Sequence, residues 1–543
     1  MEKWADQEYI LPWDVAVDAI RKSQIKSTNA QSHIEHMSNM KYDCDLKNSR
    51  ITQIMCTIGP NSEMPQQIET MLELGMTIAR INMVHGDLEH HRQELNSLRM
   101  SNNNYSTRQG MLMTLGIAIE PRGSEVRTGQ LANHMNAVPI EEGSSVRITC
   151  DPAFYASCGS DLIYLSCEHL RETVKPGNRI VIDNGEIILR VLDIGPTDMT
   201  CKVLSGGNLG NDRKVTLPEV PIETTTLSNQ TKLDLLFAVK YEVDFVIVKR
   251  VRFADQIKQY RAELGEEGQY IQMIAKIETL QGLENLEEIL EEADAIMFSK
   301  HDMATEMPVE NVCLAQKYVL GRCILASKPC VCEVHTAHAG TTVTVSSRAI
   351  ADAHSTIIDG ADCVMLAGET ALGSNPINSV LLLDKVCRQS ELSVWQTQMY
   401  GDRNVRAIPP NGPAESIAIG AVETSIKCNA QAIIVLTTSG RSAKLLSHYA
   451  PRCPIVAVTR HGRVARQLQL YRGVKPLQYI YGMLEDWMKD VNIRLQYGIS
   501  YGKVSGFIRA GDAVLMVHGC RQGAGFTNTL RVVYASEYDT IPA

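Results

Sequence analysis

Three stretches of this chain place charged and amide side chains at the ends of short apolar runs: Arg80-Ile81-Asn82, Lys276-Ile277-Glu278 and Lys300-His301-Asp302. Side chains two apart on a strand share a face. Arg80 with Asn82, and Lys276 with Glu278, can therefore each enter one cleft. Glu278 and Asp302 offer hard oxygen donors, which suit Mg²⁺ held through one or two carboxylates plus substrate oxygens. Arg80 brings a planar fork matched to a phosphoryl group. Lys276 brings a charge able to stabilise an enolate. Structural salt bridges at a rim would use the same residue types, so spacing alone leaves both readings open.

The elements that must position these residues are apolar, β-rich runs at 51–57, 76–82, 111–120, 243–251, 271–278, 293–300, 329–335 and 361–368, with helical stretches between most of them. Continuous apolar strands belong to parallel sheets covered on both faces. Eight of them alternating with helices predict a (β/α)8 barrel, whose chemistry gathers at the C-terminal strand ends. One gap, from Glu120 to Val243, is too long for a crossover helix. It carries short strand-like runs and a hairpin signal, Asp183-Asn184-Gly185. After 391 the chain turns polar, and a second α/β pattern starts at Ala414.

The architecture expected is α/β: a TIM barrel with an inserted β-barrel lid and a C-terminal doubly wound α/β domain. The bounds expected are 1–44 for an N-terminal extension with a short helix, 45–123 and 224–394 for the barrel, 124–223 for the lid and 395–543 for the C-terminal domain.

Composition narrows the function. The 543 residues are 44% apolar and 21% charged, as in an ordinary globular protein. A net charge of −9 gives no basic surface for nucleic acid. No apolar run approaches the roughly 18 residues needed to span a bilayer, and no leader pattern opens the chain. The 15 cysteines are scattered, which reads as reduced thiols and a cytoplasmic setting.

The motifs then make the chain resemble the pyruvate kinase family, from about Ile34 to Val533. The lysine signature is Met273-Ile274-Ala275-Lys276-Ile277-Glu278-Thr279, and the first strand ends in Cys56-Thr57-Ile58-Gly59-Pro60. Residues 75–86 read GMTIARINMVHG, 124–129 SEVRTG, 358–370 IDGADCVMLAGET, 454–459 PIVAVT and 525–533 GFTNTLRVV.

The resemblance implies a glycolytic phosphotransferase that passes a phosphoryl group from phosphoenolpyruvate to ADP, giving pyruvate and ATP. By position, Arg80 and Lys276 are its catalytic pair, and both bind substrate together with His301, Asp302 and Val334. Glu278 and Asp302 stand at the Mg²⁺ (or Mn²⁺) ligands. Pro60, Asn82, His85, Arg127 and Arg213 stand on the nucleotide side, and Asn82 is also one of the K⁺ ligands. Thr437, Thr438, Ser439, Gly440, Arg441 and Ser442 form a strand-to-helix turn that resembles the fructose 1,6-bisphosphate effector site. Trp487, Arg494 and the loop 519–525 match its other wall. Taken alone, such a turn also serves as a plain helix cap. The family further implies a homotetramer, or a hetero-oligomer with a paralogue.

Departures from the family cluster at the site. Val84 stands where the family has a K⁺-binding serine, and Glu120-Pro121 where it has Asp-Thr. Valine and proline supply no side-chain oxygen and Glu120 is one methylene longer, so a K⁺ site is not expected to survive. Lys249-Arg250 replaces Ser-Phe and adds positive charge near the substrate. Val334 replaces a threonine whose hydroxyl helps bind substrate, and its loss is expected to slow turnover. His301 replaces a glycine and His335 a glutamine. His335 and His338 lie three apart without further ligands, so no metal pair is read there. Two functions remain: an active pyruvate kinase, or a catalytically weak or inactive paralogue that binds effector or co-assembles with an active one.

Overall fold

A computed structural model describes residues 24–537, apart from 47, 124–125, 133–134, 168–169, 219–226, 336–346, 406, 408–410, 522 and 524. His338 and the first two residues of SEVRTG therefore lie outside the described residues, as does most of the N-terminal extension.

Eight parallel strands close into a barrel: Gln53–Thr57, Ile78–Asn82, Gly116–Glu120, Phe245–Val248, Gln272–Ile277, Ala295–Phe298, Cys330–Glu333 and Cys363–Leu366. Every predicted run contains one of them. The third is shorter than its run because Met111 packs instead into the core of the C-terminal α/β sheet.

The period of two sorts the strand residues. Ile54, Ala79, Ile119, Val246 and Ala275 pack outward with the helices. Met55, Ile78, Ala118, Phe245, Ile247, Ile274 and Met297 form the other set, inside the barrel. Extending the inner register to the C-terminal strand ends brings Thr57, Arg80, Asn82, Glu120, Lys249, Lys276, Glu278, Ser299 and Glu333 to one mouth.

The opposite end of the barrel is closed by the C-terminal α/β unit. Gln53 Nε2 donates to Tyr471 O (2.9 Å) and Val474 O (2.8 Å). Arg466 Nε donates to Asp244 Oδ1 (2.8 Å). Burial pushes the Asp244 carboxyl up to about 6, against the pull of Arg466. That unit has a five-stranded sheet, four strands parallel and the last, Thr527–Tyr534, antiparallel to Ala513–Gly519.

Between the third and fourth barrel strands sit a six-stranded and a two-stranded sheet. They share a core of their own around Ile148, Ile180 and Leu189. Asp183–Gly185 joins Arg179–Ile182 to Ile187–Ile194 as an antiparallel hairpin. Asp183 and Gly185 take positive φ (51° and 101°), which the Asp-Asn-Gly signal anticipates. Near the N-terminus a helix spans His33–Ser38, and His36 stacks on Trp395. Among the described residues no helix is long and apolar enough to cross a membrane.

Candidate active site

Glu120 closes the third barrel strand as a fully buried carboxylate. Its Oε2 accepts from Arg80, whose Nη1 donates to Thr57 Oγ1 (2.7 Å). Its Oε1 lies 3.6 Å from Lys249 Nζ and 3.8 Å from Lys276 Nζ. Burial by itself would raise this carboxyl. Arg80, Lys249 and Lys276 overcome that and hold it well below the usual carboxylate range.

Lys276 reaches the other way to Glu278 Oε1 (2.6 Å) and Asp302 Oδ2 (3.5 Å). Burial would strip its proton, but Glu278, Glu120 and Asp302 more than reverse the effect and keep the ammonium well above its ordinary value. Asp302 comes from the first turn of the helix Lys300–Glu306, where Ser299 is the cap. Lys214 crosses from the inserted domain to Asp302 Oδ1 (2.5 Å).

Glu278 and Asp302 differ. Burial raises Glu278 despite Lys276, and the neighbouring Asp302 adds to the rise. Burial also opposes ionisation of Asp302, but Lys276 and Lys214 hold it well below the usual range. A buried and a half-buried carboxyl side by side form a hard-oxygen donor set that a divalent cation fits.

Two contributors to this mouth, Glu333 and Lys214, are not singled out by the sequence. Glu333 Oε2 accepts from Ser299 Oγ (2.8 Å), and its charge adds to the rise at Lys276. The inner register set by Val331 points to it. Lys214 carried no local signal, because its partner lies 88 residues on. Glu120, one methylene longer than the residue the family has there, is also the carboxylate that receives Arg80.

The chain matches the description "Pyruvate kinase, barrel domain" over residues 49–380 and "Pyruvate kinase, alpha/beta domain" over 415–533. It is 40% identical over 518 residues to "Pyruvate kinase PKLR" of Rattus norvegicus, covering 95% of this chain and 90% of the relative. The same protein of Homo sapiens is 39% identical with the same coverage. "Pyruvate kinase 2" of Candida glabrata is 35% identical over 489 residues, covering 90% of this chain and 95% of the relative. The chain belongs to the pyruvate kinase family.

The other positions matched to pyruvate kinase are placed as follows. Pro60 and His85 are exposed on loops after the first and second barrel strands. Arg127 and Arg213 are on the inserted domain. The first donates to Asp212 O (2.7 Å), and the second pairs with Asp183 Oδ2 (3.1 Å). His301 is exposed, its ring edge-on to His335 at 6.3 Å. His335 Nδ1 bonds Glu369 Oε1 (3.0 Å), which raises the imidazole above its ordinary value. Val334 is fully buried with the outward-packing set, and its N–H donates to Met365 O (3.0 Å). It therefore presents no surface to the mouth.

Far from the barrel mouth, the turn 437–442 leads from the strand Ala432–Leu436 into the helix Arg441–His448. Gly440 takes φ 84° and donates its N–H to Thr437 Oγ1 (3.0 Å). Ser442 Oγ meets Thr527 Oγ1 at 2.7 Å. Thr438, Ser439 and Arg441 are exposed. On the helix Trp487–Val504, Arg494 pairs with Asp490 Oδ2 (2.7 Å) and lies 5.3 Å from the Trp487 ring. Positions 522 and 524 of the facing loop lie outside the described residues.

Proposed function

We propose that this chain is an active pyruvate kinase, transferring the phosphoryl group of phosphoenolpyruvate to ADP. What supports the reading most is the placement of Lys276, a buried ammonium 2.6 Å from Glu278 and 3.5 Å from Asp302, in the same mouth as Arg80. Phosphoryl transfer asks a protein for positioning and for charge where charge develops. Arg80, anchored by Glu120 and Thr57, binds the phosphoryl group. Lys276 faces the oxygen that gains charge as the enolate forms. It stays protonated throughout and acts by charge rather than as a nucleophile. Mg²⁺ or Mn²⁺, held by Glu278 and Asp302, supplies Lewis-acid neutralisation of the substrate oxygens. Lys214 draws the inserted domain across Asp302 and narrows the mouth. The nucleotide is assigned to the side of Pro60, Asn82, His85, Arg127 and Arg213.

Retention of Arg80, Lys276, Glu278 and Asp302 in one cluster favours turnover over an inactive paralogue. The turn 437–442, with Trp487 and Arg494, is assigned to a phosphorylated effector such as fructose 1,6-bisphosphate. Assembly as a homotetramer, or with a paralogue, and a cytoplasmic setting accompany the family reading. The test is pyruvate formation by the purified chain with phosphoenolpyruvate, ADP and Mg²⁺. Lys276→Met is expected to abolish it and, by leaving Glu278 and Glu120 without their shared counter-charge, to lower the melting temperature, while Lys276→Arg, which keeps the charge, is expected to melt closer to the parent and still lose most of the turnover. No pyruvate from the parent at saturating substrates would overturn the proposal.

A further inference from the structure

The side chain of Lys249 is 7% exposed. It follows the strand Phe245–Val248 in the register of Phe245 and Ile247, so it enters the mouth rather than the helix layer. Its Nζ donates to Asn82 Oδ1 at 3.5 Å and lies 3.6 Å from Glu120 Oε1. The turn that carries it is fixed from its other side. Arg250 takes φ 48°, an αL conformation unusual for a non-glycine residue. Its N–H donates to Glu278 Oε2 (2.9 Å), Nη1 donates to Val215 O (3.4 Å) and Nη2 pairs with Glu306 Oε1 (3.6 Å).

Few side-chain oxygens are left for a free monovalent cation, and the two that remain, Asn82 Oδ1 and Glu120 Oε1, lie against the Lys249 ammonium. Val84 has no side-chain oxygen, and its N–H donates to Asn82 Oδ1 (3.3 Å). Pro121 has no side-chain oxygen. Glu120 Oε2 belongs to Arg80. A metal cation added beside Asn82 and Glu120 would sit against the Lys249, Lys276 and Arg80 charges with too few oxygens to replace its water. The residues present do not fit K⁺.

We infer that the Lys249 ammonium is a built-in monovalent cation, a positioning residue that orients Asn82 and Glu120 and so places Arg80 for the phosphoryl group. This rests on the proposed phosphoryl transfer. It goes beyond that reading in assigning to a covalently attached side chain the charge that the family takes from solution.

The test compares the full-length chain with Lys249→Ala and Lys249→Arg, in potassium and in tetramethylammonium chloride at equal ionic strength. Pyruvate formation and the rise in melting temperature caused by phosphoenolpyruvate are both recorded. The parent is expected to change by less than about threefold between the two salts. Lys249→Ala is expected to lose about tenfold or more in tetramethylammonium and to regain part of it as K⁺ is added, mainly in turnover. Lys249→Arg, which keeps the charge, is expected to stay indifferent to the salt. A purely structural Lys249 would leave Lys249→Ala equally impaired in both salts, and that result overturns the inference. So does a steep K⁺ requirement in the parent. If the parent forms no pyruvate in either salt, the phosphoryl-transfer reading fails by itself. The phosphoenolpyruvate-dependent melt then decides on Lys249: equal K⁺ sensitivity of parent and Lys249→Ala rejects the role, and K⁺ sensitivity gained only by Lys249→Ala supports it.

Discussion

Arg80 and Glu120, forty residues apart, meet inside the barrel mouth with both side chains almost completely buried. A single carboxylate oxygen receives the guanidinium, and the other oxygen faces Lys249 and Lys276. One anion thus sets the geometry of three cations.

Glu120→Gln should be costly for that reason. It leaves three buried cations without their shared counter-charge, and breaking a buried pair from one side costs about 3–5 kcal/mol. The melting temperature is expected to fall sharply and phosphoenolpyruvate, a polyanion, to restore much of it. Glu120→Asp keeps the charge and should lose less. An unchanged melt for Glu120→Gln would show that the cations are compensated elsewhere.

Divalent metal should bind through Glu278 and Asp302. Mg²⁺ is expected to raise the melting temperature in the presence of phosphoenolpyruvate, a ligand at a hundred times its dissociation constant contributing about 2.7 kcal/mol. Glu278→Gln should remove the effect. The same Mg²⁺-dependent rise in parent and variant would place the metal elsewhere.

Val334→Thr tests the departure that the sequence makes most prominent. At a fully buried position behind the strand, an added hydroxyl without a partner costs about 1–3 kcal/mol. The expected outcome is a lower melting temperature and a turnover gain below about threefold. A gain of about tenfold in turnover, with stability kept, would mean that residue 334 faces the substrate during catalysis.

Asp244 should make the closure between barrel and C-terminal domain sensitive to pH. Its carboxyl is raised from 3.8 to about 6 in the folded protein, so the folded state holds the proton more tightly. The stabilisation this gives is complete below pH about 3.8 and is lost as pH rises through about 6. Over that window it amounts to at most about 3 kcal/mol. Asp244→Asn cannot titrate. Its melting temperature relative to the parent is expected to climb as pH goes from about 4 to 7. A constant difference across that window would contradict the assignment.

Local patterning alone determined much of this protein. Eight apolar runs specified the eight barrel strands, because strands buried on both faces must be apolar along their length. The period of two put Arg80 beside Asn82 and Lys276 beside Glu278 on one face. Asp183-Asn184-Gly185 specified its hairpin through the positive φ that such a turn demands. These signals lie within a few residues of one another, so they can be read without the rest of the chain.

Barrel closure decided what patterning could not. The pairing of Arg80 with Glu120 depends on the register between the second and third strands, and the meeting of Lys249 with Asn82 on the path of the ring between them. Lys214 reaches Asp302 only because the inserted domain folds back over the mouth. Val334 looked like a lost substrate contact in sequence, yet it lies with the outward-packing residues where its strand gives way to a loop. Each of these results depends on groups far apart in the chain. Their charges become strong partners only after folding removes the water between them.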